Sequence, residues 1–216
     1  DKRSVSYGFC DSWLDRAAVL CDDCRFEEAV QAYGKVLELI PWDSNVWREK
    51  GFTFFNLDRY DEALMALDKS LELNRDDFDA WYGKGTALHA LGRYEEALKA
   101  YRKALLLIPR QFQVWYGMAP SLGKLGRFEE AVQAYETAFK LAPRDFCFLC
   151  NINATWNNIA TAICKSGRFE EALQYYDKVL EYNPDNSDAW YGQGTALDGL
   201  GRLEEARWAF KKGSLL

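Results

Sequence analysis

Six tryptophans constrain what this chain can fold into. Trp13, Trp47, Trp81, Trp115, Trp156 and Trp190 are separated by 34, 34, 34, 41 and 34 residues. A ten-residue phrase keeps the same interval. GRYEEALKAY at 92–101 returns as CRFEEAVQAY at 24–33, GRFEEAVQAY at 126–135, GRFEEALQYY at 167–176 and GRLEEARWAF at 201–210, with a looser copy, DRYDEALMAL, at 58–67. A fixed period over nearly the whole of 216 residues is the mark of a chain assembled from like units that stack on their neighbours.

Inside each unit two apolar patterns follow one another at helical spacing. In the third unit they are Trp81, Ala87, Leu88 and Leu91, then Leu98, Tyr101, Leu105 and Ile108. Gly92, Gly126, Gly167 and Gly201 fall between the two patterns, where a residue free to adopt positive φ closes one helix and turns the chain. The paired glutamates that follow lie in the first turn of the second helix, facing the positive end of its dipole. Pro41, Pro109, Pro143 and Pro184 end the units. Small residues recur where the two helices must approach. Ala17, Gly51, Gly85, Ala119, Ala160 and Gly194 occupy the first helix, and Ala29, Ala63, Ala97, Ala131, Ala172 and Ala206 the second. One helix pair cannot bury its apolar face alone, so each copy of the phrase is the wall for the next.

These features resemble the tetratricopeptide repeat. The third unit carries Trp81, Gly85, Leu88, Ala97, Tyr101, Ala104 and Pro109 in that family's slots, and the resemblance covers about residues 10–216. Cys24 and Asp58 replace the inter-helix glycine, Arg75 replaces the terminal proline of the second unit, and the last unit stops after its second helix. The expected organisation is a lead-in at 1–9 and units at about 10–43, 44–77, 78–111, 112–145, 153–186 and 187–216, with an insertion near 146–152. The resemblance implies an all-α, right-handed superhelical solenoid of antiparallel helix pairs. It also implies a concave groove, lined mainly by the first helix of each unit, that takes a protein or peptide ligand. Placed on the family's layout, the groove positions are Arg48, Phe52 and Phe55; Tyr82, Thr86 and His89; Tyr116 and Lys124; Asn157, Thr161 and Lys165; and Tyr191 and Thr195. Tyrosine and phenylalanine supply contact area at low entropic cost, although Tyr82, Tyr116 and Tyr191 can equally pack on their neighbours. One subtype of the family grips a peptide's terminal carboxylate through asparagine and lysine. Ala18, Phe52, Thr86, Pro120, Thr161 and Thr195 stand where it needs asparagine, so that clamp is not expected.

Two irregularities interrupt the pattern. The stretch RDFCFLCNINATW carries seven extra residues before Trp156, about two helical turns. The favoured expectation is a lengthened first helix capped by Asp145; Asn151 and Asn153 keep a loop open as the alternative. Phe146, Phe148 and Leu149 form an apolar protrusion that either covers the groove edge or contacts a partner. Pro120 falls midway through a first helix, where it removes a hydrogen bond, so a kink or displacement is expected there.

Other chemistries find little support. A net charge of −6 leaves no basic footprint for nucleic acid. No apolar run reaches the roughly 20 residues of a membrane span. The start, DKRSVSYGF, lacks a signal-peptide core and an initiating Met, which suggests a processed product or a fragment. Cys21/Cys24 and Cys147/Cys150 are CxxC pairs, but their turns belong on opposite edges of a stack, too far apart for one zinc site. The cysteines are expected as reduced, cytoplasmic thiols that fill space, with a Cys147–Cys150 disulfide as the minor alternative. His89 is the single histidine, with no triad motif around it. The glycines of YGKGT and YGQGT fall inside helices and not between strand and helix. The expectation is a binding scaffold with no catalytic residues, no cofactor and no metal. Its alternatives are the recruiting segment of a larger enzyme, or a module that self-associates through an uncapped final helix marked by Trp208.

Overall fold

The computed structural model describes the backbone of residues 2–141 and 148–216, and side chains at residues 10, 12–141 and 153–216. Among the described residues the structure is helical, with twelve helices and no strand. They form two compact units. The first, Asp1–Pro109, holds α1 (Lys2–Asp22), α2 (Phe26–Leu39), α3 (Ser44–Asn56), α4 (Tyr60–Leu73), α5 (Phe78–Ala90) and α6 (Tyr94–Leu107). The second, Arg110–Leu216, holds α7 (Phe112–Lys124), α8 (Phe128–Leu141), α9 (Phe148–Lys165), α10 (Phe169–Tyr182), α11 (Ser187–Gly199) and α12 (Leu203–Gly213). In both units each odd-numbered helix packs on the even-numbered helix after it, and within a unit each pair packs on the next. The residues expected as a lead-in continue α1 instead.

The turn inside each pair follows from one backbone geometry. Gly92, Gly126, Gly167 and Gly201 have φ between 74° and 83°. The amide after Gly92, that of Arg93, donates to the Leu88 carbonyl at 2.9 Å and closes the helix end. Cys24 and Asp58 adopt the same conformation at φ 57°, so the turn survives the loss of glycine. Close approach explains the small residues. A Cβ on Gly85 would lie 2.6 Å from the Tyr101 ring, and one on Gly194 2.7 Å from the Phe210 ring.

Two recurrent bonds mark the odd-numbered helices. Asp43, Asp77 and Asn186 cap α3, α5 and α11 through their side-chain oxygens. The indole N–H of Trp47, Trp81 and Trp190 donates to the carbonyl six residues earlier, in Pro41, Arg75 and Pro184, at 2.7–2.8 Å. The tryptophan of one pair therefore fastens the tail of the pair before it. Because a carbonyl is what accepts, Arg75 serves where the other units have proline.

The even-numbered helices start with an arginine that no side-chain oxygen caps. Arg25 instead grips Glu28 with two bonds of 2.7 Å, and Arg59–Glu62, Arg93–Glu96, Arg127–Glu130, Arg168–Glu171 and Arg202–Glu205 repeat the pairing. The guanidinium holds the Glu28, Glu62, Glu96 and Glu205 carboxyls below their ordinary range.

The irregular helices behave differently from one another. α9 begins at Phe148 and has 18 residues against 13 in α3, α5, α7 and α11, so the extra sequence lengthens the helix. Asp145 and Phe146 lie outside the described residues, as do the side chains of Cys147, Phe148, Leu149 and Cys150. α7 runs through Pro120 unbroken and keeps the register of α5. Val114, Ala119, Ser121 and Leu122 are buried where α5 buries Ala80, Gly85, Ala87 and Leu88. The expected interruption is therefore absent from the register of buried positions in α7. Pro120 itself is only half-buried, on a side of the helix where the unpaired carbonyl of the preceding turn can be solvated.

α12 departs from its siblings at one position. Val30 packs forward against Phe54, Ala63, Ala66 and Ala87 of the next helices, and Leu173 against Leu197, Ala206 and Ala209. The corresponding residue of α12 is Arg207, exposed and paired with Glu204. Trp208 is half-exposed, but its ring stands edge-on to Trp190 at 5.2 Å. The outer face of α12 is thus mixed in character.

Candidate functional site

Repeated geometry puts equivalent positions of α3, α5, α7, α9 and α11 on equivalent faces, and the question at each is whether the side chain is already in use. In the first unit most are. Arg48 donates to the buried Asp77 carboxylate at 2.9 Å, to Asn45 at 3.1 Å and to Glu49 at 3.0 Å, so it braces α3 against the cap of α5. Phe52 packs against Leu67, Leu71 and Ala80 and fills the space that Gly83 leaves. Phe55 lies against the cluster of Phe54, Ala63, Ala66 and Ala87 and meets Tyr60 edge-on at 5.2 Å. Tyr82 stacks on Phe78 at 6.4 Å, near Tyr101, and burial pushes its phenol above the ordinary value. His89 rests against Tyr94 at 5.4 Å. The Thr86 hydroxyl donates to the Gly83 carbonyl at 2.8 Å, a bond within its own helix.

The second unit is different. Lys124, Thr161 and Lys165 line one cavity of about 230 Å³ between α7, α8 and α9. Phe128, Ala131 and Tyr135 of α8 give it an apolar wall, while Gly123 and Pro120 of α7 and Asn158 and Ala162 of α9 complete it. Lys124 and Lys165 are exposed and have no ion-pair partner among the described residues. The Asn158 amide donates to the Tyr116 hydroxyl at 3.4 Å and links α9 to α7 at this cavity. Tyr116 meets Tyr135 edge-on at 5.6 Å. Thr161 donates to the Asn157 carbonyl at 2.8 Å and lies 3.3 Å from the Tyr176 hydroxyl. On α11, Tyr191 is 44% exposed beside Phe210, and Thr195 is exposed with its hydroxyl bonded to the Tyr191 carbonyl.

The structure therefore separates the predicted positions. It gathers Lys124, Thr161 and Lys165 around one opening and commits Arg48, Phe52 and Phe55 to packing. It adds residues that position-by-position reading passed over: Asn158, Phe128, Tyr135 and Asn153. Asn153 corresponds to Phe78 and Phe112, and Asn157 to Tyr82 and Tyr116. The side-chain oxygens of Asn153 and Asn157 are both buried and have no hydrogen-bond partner among the described residues. Aligning the units by their tryptophans exposes that double replacement of aromatics by amides.

Among the described residues no group of three or more potential ligands could hold a metal ion, and no helix is long and apolar enough to cross a membrane. Cys21 lies 3.6 Å from the Thr53 hydroxyl and 4.0 Å from that of Tyr33, and Cys24 is an exposed free thiol.

A family model for the tetratricopeptide repeat matches residues 48–112 and 159–212, more than half of the chain, and a second matches residues 112–145. No curated protein matches. Solved structures do. YrrB, a TPR protein with an unusual peptide-binding site, is 23% identical over 85% of this chain and 91% of its own, with a TM-score of 0.70. MamA residues 41 to the end from Desulfovibrio magneticus RS-1 is 19% identical, covering 82% of this chain and 96% of that one, with a TM-score of 0.73. The C-terminal part of a TPR repeat-containing protein from Cytophaga hutchinsonii is 16% identical over 92% of this chain and 77% of its own, with a TM-score of 0.74. At these identities the likeness is one of fold.

Proposed function

Because the chain belongs to the tetratricopeptide repeat family, we propose that it is a protein-interaction scaffold that binds a peptide segment of a partner in the opening between α7, α8 and α9. One observation carries this: Lys124, Thr161 and Lys165, from two different helices, line a single cavity with an apolar wall and charged rim. Apolar floor plus a few placed polar groups is the usual make-up of a ligand site. A peptide-binding site belongs to YrrB by description, and the fold likeness supports looking for a peptide ligand here. A cytoplasmic setting agrees with the free thiols Cys10, Cys21, Cys24 and Cys164. Self-association through α12 is less favoured, since Arg207 takes the place of the residue that packs forward in other units.

Gly123 offers a clean test. It lines the cavity, and a Cβ there would meet nothing within 4 Å. Gly123→Trp places an indole at the opening from a position whose Cβ has room, and replacing a helical glycine by Trp favours the helix by about 0.3–0.5 kcal/mol. Peptides selected from a displayed random library on the intact chain should lose binding to Gly123→Trp while its thermal midpoint holds or rises. They should still bind Met65→Trp, a control on the exposed face of α4. Peptides that bind all three proteins equally would place recognition elsewhere.

A further inference from the structure

With the units aligned on their tryptophans, three aromatic residues break the repeat. Tyr175 of α10 stands where the other units carry Ala32, Ala66, Ala100, Ala134 and Ala209. Tyr182 of α10 stands where they carry Leu39, Leu73, Leu107, Leu141 and Leu216. Phe139 of α8 stands where four of them carry Leu37, Leu71, Leu105 and Leu180. The fold brings all three to one tryptophan. Phe139 and Tyr182 lie 6.4 Å and 5.6 Å from the Trp156 ring. Tyr175 shares with Trp156 and Phe139 the wall of a cavity of about 280 Å³ between α8, α9 and α10. Phe139 is 39% and Tyr182 58% exposed, so this is ring surface turned to solvent and not core.

The rings already hold a cation. Lys178 Nζ lies 4.9 Å from the centre of the Tyr175 ring and 5.9 Å from that of Trp156. In the first three units the tryptophan is covered from its own helix, by Arg16 over Trp13, Lys50 over Trp47 and Lys84 over Trp81. The equivalent residue of α9 is the buried Ile159, so the cation at Trp156 comes from another helix. Lys178 also has a second place to go. Its counterparts Lys35 and Lys69 pair with Glu38 and Glu72 at 3.0 Å and 2.7 Å, and Glu181 stands at the same offset from Lys178. Glu136 lines the cavity, accepts from the Tyr175 hydroxyl at 3.4 Å and lies 3.9 Å from the exposed Lys140.

We infer that this cavity is a site for a quaternary ammonium group, free as in choline or carried on a trimethylated lysine, which takes the place of Lys178 over Trp156 and Tyr175 while Lys178 turns to Glu181. The exchange replaces one cation by another, so the charge in the cavity is unchanged and Lys178 gains a carboxylate. A primary ammonium brought by a ligand has no advantage over Lys178, which is tethered beside the rings. A quaternary one has: it has no N–H bonds to water to give up, and its methyl groups present a spread positive charge to several ring faces at once. Phe139 and Tyr182 extend the aromatic surface, and Glu136 supplies the opposite charge. The site is separate from the opening between α7, α8 and α9 and does not rest on it.

The test follows the backbone and indole N–H signals of the intact chain by NMR as choline, ethanolamine or the uncharged analogue of choline with carbon in place of nitrogen is added. Choline should bind about tenfold tighter than either of the others. Two short capped peptides, one with lysine and one with trimethyl-lysine, separate the sources: the tighter binder of choline and the trimethyl-lysine peptide is the carrier the site suits. Lys178→Gln removes the resident competitor and should tighten choline binding about threefold, at high salt as well as low, because occupancy of the rings and not screening is what changes. A lysine that merely packs there would give no gain. Phe139→Leu, Tyr175→Ala and Tyr182→Leu together restore the residues that other units use. That variant should keep its helical circular dichroism and lose choline binding by about tenfold or more. Tyr182→Leu alone, at an exposed position, should weaken choline about threefold and gives the same reading if the triple variant unfolds. Equal binding of choline and its uncharged analogue, no tightening in Lys178→Gln, or choline binding that survives Tyr182→Leu and the triple replacement would overturn the inference.

Discussion

At the scale of single residues, the tryptophans show how one side chain can hold both a pair and a junction. The Trp81 indole bond to the Arg75 carbonyl, 2.8 Å long, is lost in Trp81→Phe with most of the ring area kept. A destabilisation of about 1 kcal/mol is expected in urea unfolding, whereas Arg75→Ala, which keeps the acceptor, should be near neutral. Tyrosines supply a pH effect. Burial pushes the Tyr176 phenol up to about 12, and moves those of Tyr101 and Tyr135 upward as well. A raised folded-state value means the stabilisation is whole below the unfolded value, near 10. It is lost as pH climbs from there toward 12, because the unfolded chain releases the proton first. Helicity followed against pH should fall in that window together with the appearance of phenolate absorbance, and Tyr176→Phe should move the fall to higher pH. Much of the candidate site was not legible at this scale. Arg48 and Phe52 occupy the right slots for a groove, but whether a slot is free depends on what Asp77 and Gly83 do across the helix interface. One unit read alone does not contain that information.

At the scale of elements, the period of 34 made the helices legible almost completely, since each phrase begins an even-numbered helix and each of the six recurring tryptophans sits in an odd one. The paired glutamates were legible as dipole partners. Their second role, in which the later glutamate of each pair is gripped by the arginine before the helix, depends on a side-chain geometry that periodicity does not encode. The two non-glycine turns yield a prediction. Cys24 holds φ 57° with an exposed thiol that makes no turn-specific bond. Cys24→Gly should therefore stabilise the protein by about 1 kcal/mol, measured from the denaturation midpoint at constant slope. Asp58→Gly should gain less, because it gives up the bond from the Tyr60 hydroxyl, 2.5 Å long. Pro120 does not break α7: a proline costs a helix most where the freed carbonyl is buried, and here the residue lies partly open.

At the scale of the whole molecule, stability in a repeat protein is approximately a sum of unit and neighbour terms. Each compact unit contains three complete helix pairs, so neither needs a helix from the other to finish a pair. Residues 1–109 and 110–216 produced separately should each show a helical circular dichroism spectrum and a cooperative thermal transition. A disordered spectrum from either would show that its pairs need more neighbours than the unit supplies. The seven additional residues before Trp156 were legible as a lengthened helix because seven is close to two turns, and α9 is indeed longer. The replacement of the aromatics of α5 and α7 by Asn153 and Asn157 in this longer helix was not legible from the number of residues inserted.

The fastening of Trp47, Trp81 and Trp190 to the backbone of the pair before them has an optical consequence. Each indole is a lamp wired across one joint, and its emission colour responds to the polarity around that joint, the N–H contact included. Loosening of a particular joint by denaturant, by force or by a bound partner can be watched by its own light in variants that keep one of these tryptophans, with no dye attached.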